Sequence, residues 1–260
     1  MHANQSDSMV NDAGTVAHEW RDRVIAGGVL GSAPLPAWAE RSYHCLHEQV
    51  ANDGYPCFFG VQAERRGEMF YTFVSRQEPN LLTESMTTFA GLAQQPLYEK
   101  HNIAVFFEPE AVLLTHAQYR ELFWRRLQSL HDTDTHPRAA HLADPADCDW
   151  EFTYQGVEMF VVCACPTFRR RRSRNLGPGM VMLFQPRSVF IDKITNNAIS
   201  RRARLEVRRR LQDWDDVDPH PDLGFYGDPL NREWKQYFLP DDNDATVGAC
   251  PFRTRTTPRS

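Results

Sequence analysis

The sequence predicts an α+β domain, a mostly antiparallel sheet flanked by helices with a long ordered C-terminal loop. Three observations lead there. Short aromatic and β-branched runs alternate with amphipathic segments, as layered sheet-and-helix folds require. Several runs adjoin one another across Gly-containing turns, which is more hairpins than a doubly wound parallel sheet accommodates. Residues 215–247 carry little periodicity but many aromatic and turn residues, and so long a loop inside a compact domain usually serves function.

In chain order, Thr15 to Ile25 has apolar residues at helical spacing, and Gly27-Gly28 with Pro34 and Pro36 close it. A second helix is predicted over Ala37 to Asn52. Cys57-Phe-Phe-Gly-Val and Met69-Phe-Tyr-Thr-Phe-Val, on either side of a polar turn with Gly67, read as a hairpin. Residues 81–95 are predicted helical, Asn102 to Glu108 a short apolar strand, and His116 to Leu130 an amphipathic helix with Leu122, Phe123, Leu127 and Leu130 on one side. A hairpin about Gln155-Gly156 joins 150–154 to 157–164, a strand starts at Met180 after Gly177-Pro-Gly, and a long basic helix runs from about Ser188 to Trp214.

At 260 residues the length fits one core with elaborations. Residues 1–13 are expected to be disordered, 14–247 to form the single domain and 248–260 to be a flexible tail. The start lacks the basic, apolar and small-residue signature of an export signal, and no stretch has the length of a membrane span, so a cytoplasmic protein without membrane partners is expected. Six cysteines at irregular spacing, with no CxxC pair, predict free thiols. A net charge of −5 argues against nucleic acid as a partner, because affinity for its backbone is summed positive charge. Monomer and homodimer both stay open.

The segment from Trp214 to Asn243 is the most informative. Gly224, Gly227, Pro219, Pro221 and Pro229 set tight turns, while Trp214, Phe225, Tyr226, Trp234, Tyr237 and Phe238 provide area to dock the loop. His220, between two prolines, has a rigid backbone suited to a metal ligand, an acid/base group or a turn bond to a nearby carbonyl. Asp222, Asp228, Glu233, Asp241 and Asp242 could receive a cation, since a carboxylate pairs bidentately with a guanidinium; the alternative is that they bond turn amides. Cys57, after a proline, and Cys165, before one, are core filling or thiolate ligands to a haem iron. Arg169 to Arg172 with Arg174 form a basic knot, where one or two arginines could fold inward onto a carboxylate.

Four blocks in order, YPCFFG, WEFTYQGVEMFVVCACP, RRRRSRNLGPGMVMLFQPR and PHPDLGFYGDPLNREWKQYFLPDDN, resemble the YqcI/YcgG family from about residue 36 to 243. Characterised members are haem proteins that N-hydroxylate guanidino groups in specialised metabolism. The resemblance therefore implies haem b, an N-monooxygenase using an electron donor or peroxide, and a small cationic substrate such as L-arginine. On that reading Cys165, Cys57 or His220 ligates the iron, Arg170, Arg171, Arg174, Trp234 and Tyr226 line the cofactor, and Asp228 and Asp222 hold the cation. One branch of the family has His-Pro where this chain has Cys165-Pro166, which leaves the axial ligand open. A non-catalytic haem-binding or gas-sensing protein, and a cofactor-free interaction protein built on the basic loop, are the competing expectations.

Overall fold

The structure is a computed structural model that describes residues 24–27, 30, 34–189, 197–224 and 228–255. Its centre is a six-stranded sheet in the order β1-β2-β3-β6-β5-β4. The strands are β1 (Ile25–Ala26), β2 (Met69–Val74), β3 (Asn102–Phe107), β4 (Phe152–Tyr154), β5 (Val157–Ala164) and β6 (Val181–Pro186). The helices are α1 (Ala37–Val50), α2 (Phe58–Arg66), α3 (Leu81–Ala93), α4 (His116–Thr133), α5 (Asn197–Trp214) and the single turn α6 (Trp234–Tyr237). Only β2 and β3 pair in parallel, joined through α3, and every other pairing is antiparallel. The α+β class with a mostly antiparallel sheet is what the sequence predicts.

Strand alternation gives the sheet two faces. Phe70, Val74, Ile103, Val105, Phe107, Val161, Met182 and Phe184 lie in one apolar cluster with Met86 and Phe89 of α3 and Phe123, Leu127 and Leu130 of α4. The helices present these residues at three- and four-residue spacing, so each buries one stripe. Thr115 caps α4 and closes a reciprocal capping box with Gln118. The second face contributes Met69, Tyr71, Ala104, Phe106, Ala164 and Val181, covered by Leu46 and Val50 of α1 and Val61 and Ala63 of α2.

Two local predictions need correction. The stretch expected as the first strand of a hairpin is α2. Its N-terminus is capped by the Cys57 thiol, which accepts from the Gly60 N–H at 3.4 Å, and its end is set by Gly67 at φ 69°. Gln62 to Arg66 are good helix formers, and a four-residue apolar run cannot separate strand from buried helix. The helix expected over Thr15 to Ile25 falls outside the described residues up to position 23, but Ile25-Ala26 is a strand paired with Tyr71 and Phe70. The hairpin about Gln155-Gly156 forms as read: both turn residues have positive φ, 48° and 78°, the combination a two-residue loop needs to match strand twist. A Cβ on Gly156 would also lie 2.8 Å from the His136 ring.

The long basic helix is described from Asn197, with 190–196 outside the described residues. The chain beyond residue 248, expected as a flexible tail, is held as far as Arg255. Phe252 is buried beside Trp150 and Phe152, Arg253 exchanges backbone bonds with the Gln128 side chain, and the Arg255 N–H donates to His131. Burying one phenylalanine contributes about 1.5–3 kcal/mol, enough to hold a short segment.

Candidate functional site

The basic knot and the C-terminal loop meet, as read, but they are occupied with each other. Arg171 is 1% exposed. Its Nε donates to the Pro240 carbonyl at 2.7 Å, Nη1 to that of Asp218 at 3.2 Å, and Nη2 to that of Asp242 at 2.6 Å and to the Asn243 side chain. The backbone amides of Arg169, Arg170 and Arg171 converge on the Asp241 carboxylate at 2.9–3.1 Å, a nest that already contains its anion. Arg174, also buried, spends its guanidinium on the carbonyls of Cys163, Gln236 and Tyr237. Arg169, Arg170 and Arg172 are exposed, and Arg170 lies on the wall of an open cleft of about 410 Å³ that it shares with Asp215, Asp216 and Asp218.

The remaining predicted residues scatter. His220 is fully buried, with Nδ1 accepting from the Asp222 N–H and Nε2 at 3.0 Å from the Asp244 carbonyl. Burial keeps its pKa below the ordinary imidazole value, and both ring nitrogens are engaged in turn bonds, so it does not fit an iron ligand in this arrangement. Asp222 bonds the Thr246 amide, and exposed Asp228 bonds the Leu230 amide. Trp234 packs in the core against Trp124, and Tyr226 lies outside the described residues. Cys165 is buried in the first-face core, 3.1 Å from the Thr167 hydroxyl, and burial raises its thiol pKa, which disfavours the thiolate an iron would need. An open groove of about 830 Å³ between α4 and Pro251–Arg255 contains none of the predicted site residues.

Cys57 stands on the opposite face of the sheet and in a different setting. It is a half-buried cysteine at the N-terminus of α2, packed against the second-face cluster. Amides at a helix N-terminus favour a thiolate. Among the described residues, Phe73, Leu183 and Val162 on the second face are half-buried, whereas their first-face neighbours Val74, Met182 and Val161 are buried; Phe160, also half-buried, packs against the first cluster and the Tyr237 ring. Leu183 lies in register with Ala104 on one side and Val162 on the other, which makes a continuous apolar floor. Trp38 and Phe106 contact Phe73 at its inner end. By donor chemistry, a thiol on a helix N-terminus beside apolar side chains could hold a haem iron, whereas His220, with both ring nitrogens engaged, and Cys165, with its buried thiol, do not suit one.

At the outer end of this face lies a group that sequence reasoning missed. Continuing the β4–β5 register by one residue sets Glu151 opposite Phe160. Glu151 and Glu233 have side chains 3% exposed, and both meet Arg187 Nη1, at 3.1 and 3.9 Å. Tyr237 donates to Glu233 Oε1 at 3.0 Å, while Glu151 Oε1 is buried without a partner among the described residues. Burial first, then repulsion from Glu233, pushes Glu151 up to about 8; burial pushes Glu233 up to about 7 against the pull of Tyr237 and Arg187. Two carboxylates facing one guanidinium retain a proton near neutrality, a mark of functional sites. Glu233 is one of five loop acids singled out as cation receptors, and nothing in the sequence distinguishes it; Glu151 and Arg187 stand out in no pattern. The one shared signal is that each glutamate adjoins a tryptophan, in Trp150-Glu151 and Glu233-Trp234.

Among the described residues no helix is long and apolar enough to cross a membrane, and no group of three or more His, Cys, Asp or Glu side chains could hold a metal ion. No solved structure matches the chain. Two Bacillus subtilis (strain 168) proteins, "Uncharacterized protein YcgG" and "Uncharacterized protein YqcI", are 34% and 33% identical over 84% of this chain and 89% of their own length. A Streptomyces lavendulae protein named "Putative N(omega)-hydroxy-L-arginine synthase DcsA" is 26% identical over 85% of this chain and 86% of its own. The description of the YqcI/YcgG family matches residues 46–253. With that match covering most of the described fold, and with both Bacillus proteins aligned across it, the chain belongs to the YqcI/YcgG family.

Proposed function

We propose that the protein N-hydroxylates a small guanidino compound of the arginine type, with haem b seated on the second sheet face and Cys57 turned to its iron. The observation that carries this reading is that Cys57, at the α2 N-terminus, packs against the same apolar cluster as half-buried Phe73 and Leu183, with Val162 in register beside Leu183. Similarity to a relative named for hydroxy-arginine synthesis supports the reaction class. Haem, when bound, would supply the oxidising chemistry that inserts one oxygen atom into an N–H bond. Dioxygen with a two-electron donor, or peroxide alone, balances that insertion.

The chain's own residues have three tasks. The amides opening α2 stabilise negative charge on the Cys57 sulfur, beginning with the Gly60 N–H that already points to it. The floor excludes water, which strengthens every charge interaction nearby. A carboxyl group poised near neutrality holds the cation or takes a proton from it, since a guanidinium nitrogen has no free lone pair until it is polarised or deprotonated.

The test is expression with a haem precursor, followed by absorption spectra of the reduced protein under carbon monoxide. A thiolate-type spectrum that C57S abolishes and that C165S and H220Q keep is the expected result, together with an arginine product heavier by one oxygen. Loss of the signature in C165S with retention in C57S would move the ligand to the other face and sink this reading. Haem binding without an oxygenated product would point to a non-catalytic haem protein, and no haem uptake to a cofactor-free one.

A further inference from the structure

The carboxyl pair at the outer end of the second face has more acceptor capacity than the chain uses. Glu151 and Glu233 bring four carboxylate oxygens. Arg187 Nη1 donates to Glu151 Oε2 at 3.1 Å and lies 3.9 Å from Glu233 Oε2, the Tyr237 hydroxyl donates to Glu233 Oε1, and Glu151 Oε1 is buried with no partner among the described residues. A buried acceptor left over in this way costs free energy unless something else satisfies it. Of the three side chains, that of Arg187 is the one that solvent reaches, at 21% exposure against 3% for each glutamate. Arg187 closes the way in.

Arg187 also sits where its side chain can move without its backbone. It directly follows β6, and its N–H is tied to the Glu158 carbonyl at 2.9 Å, so rotation about side-chain bonds alone would withdraw the guanidinium. The exchange of one guanidinium for another leaves the charge of the trio unchanged. The cost of drying the incoming cation is offset by the hydration of the outgoing one, and the planar fork that fits Arg187 fits any guanidino group better than an ammonium.

We propose that Glu151 and Glu233 are the receptor for the guanidinium of a small substrate and that Arg187 is its resident stand-in, displaced when the substrate binds. The proposal rests on the reading of this protein as one that acts on guanidino compounds. It names the carboxylates that orient such a substrate at the end of the apolar floor, and it gives the surplus acceptor Glu151 Oε1 a partner.

Calorimetric titration of the full chain with agmatine, and with butylamine as the ammonium control, tests it. R187A should bind agmatine about tenfold or more tightly than the unmodified protein, because a competitor has been removed. E151Q and E233Q should each weaken agmatine binding by a similar factor, and butylamine should follow none of these changes. The melting temperature of R187A should rise with agmatine and not with butylamine. Equal agmatine affinity in R187A and the unmodified protein, or unchanged affinity in E151Q and E233Q, would overturn the receptor. Should R187A fail to fold, R187K replaces it with the same expected and overturning outcomes, because an ammonium cannot copy the planar fork. Agmatine binding with this dependence but no oxygenated product would sink the hydroxylation and leave the receptor. Product formed by E151Q at the unmodified rate would do the reverse.

Discussion

Arg171 and Arg187 both carry a guanidinium into the interior, and their surroundings differ in how far the accounts of donors and acceptors match. Around Arg171 the guanidinium meets three carbonyls and an asparagine, and the nearby Asp241 carboxylate is matched by three amides. Around Arg187 two carboxylates share one cation, one oxygen has no partner among the described residues, and burial raises the pKa of both acids. A saturated buried network fixes a fold, because each partner removed leaves another stranded. A network short of one cation or proton keeps a free energy that a ligand can release. The arginine-rich motif that is loudest in the sequence therefore belongs to structure, and the quiet trio at the sheet's end is where binding is to be sought.

That contrast can be broken by substitution, and the largest effect is expected at the clamp. R171A strands three carbonyls and should lower unfolding free energy by about 3–5 kcal/mol in urea titrations; a loss under 1 kcal/mol would mean the loop is held elsewhere. The acid pair should reveal itself through pH. Because Glu151 and Glu233 keep protons in the fold that the unfolded chain releases, their stabilising contribution is complete below about 4.5, the ordinary glutamate value, and is lost as pH rises to about 8. Half-buried His101 and His116 and buried His131 and His220, with lowered pKa values, act oppositely, stabilising above 6.5 and less so as pH falls. The difference between the unmodified protein and E151Q isolates the carboxyl: from pH 5 to pH 9 the unmodified chain should lose about 4 kcal/mol more than E151Q. Parallel curves would show that Glu151 titrates normally.

Smaller effects sharpen the same comparison. D241N keeps one oxygen for the nest of amides but removes its charge, and should cost about 1–2 kcal/mol in the same titration. T115A, at an exposed helix cap remote from both networks, sets the scale of an ordinary local bond at about 1 kcal/mol. If D241N costs no more than T115A, the nest is a solvent-screened contact and the two regions differ less than their geometry implies.

Much of the architecture was legible because it is encoded locally. The Gln155-Gly156 turn, the strands on either side of it, and the amphipathic stripe of α4 each follow from periodicity and turn chemistry within a few residues. Helix α2 was misread for the same reason: Phe58 to Val61 has no period of its own, and Gly67 serves equally well in a hairpin turn and at a helix end. The role of the arginines was hidden because their partners, at 218 and 240–243, are distant in sequence and mostly backbone carbonyls, which no residue pattern displays. Glu151, Arg187 and Glu233 were hidden because a buried glutamate and an exposed one are the same letter, and only the fold assigns burial.

Among the described residues the sheet's two margins are strands of two and three residues, Ile25–Ala26 and Phe152–Tyr154. Margins so short give a neighbouring chain almost no ladder on which to extend. Any self-association of this protein would then have to form through helices or loops instead of by strand addition, and concentrated samples should resist the edge-to-edge stacking that turns sheet proteins into fibres.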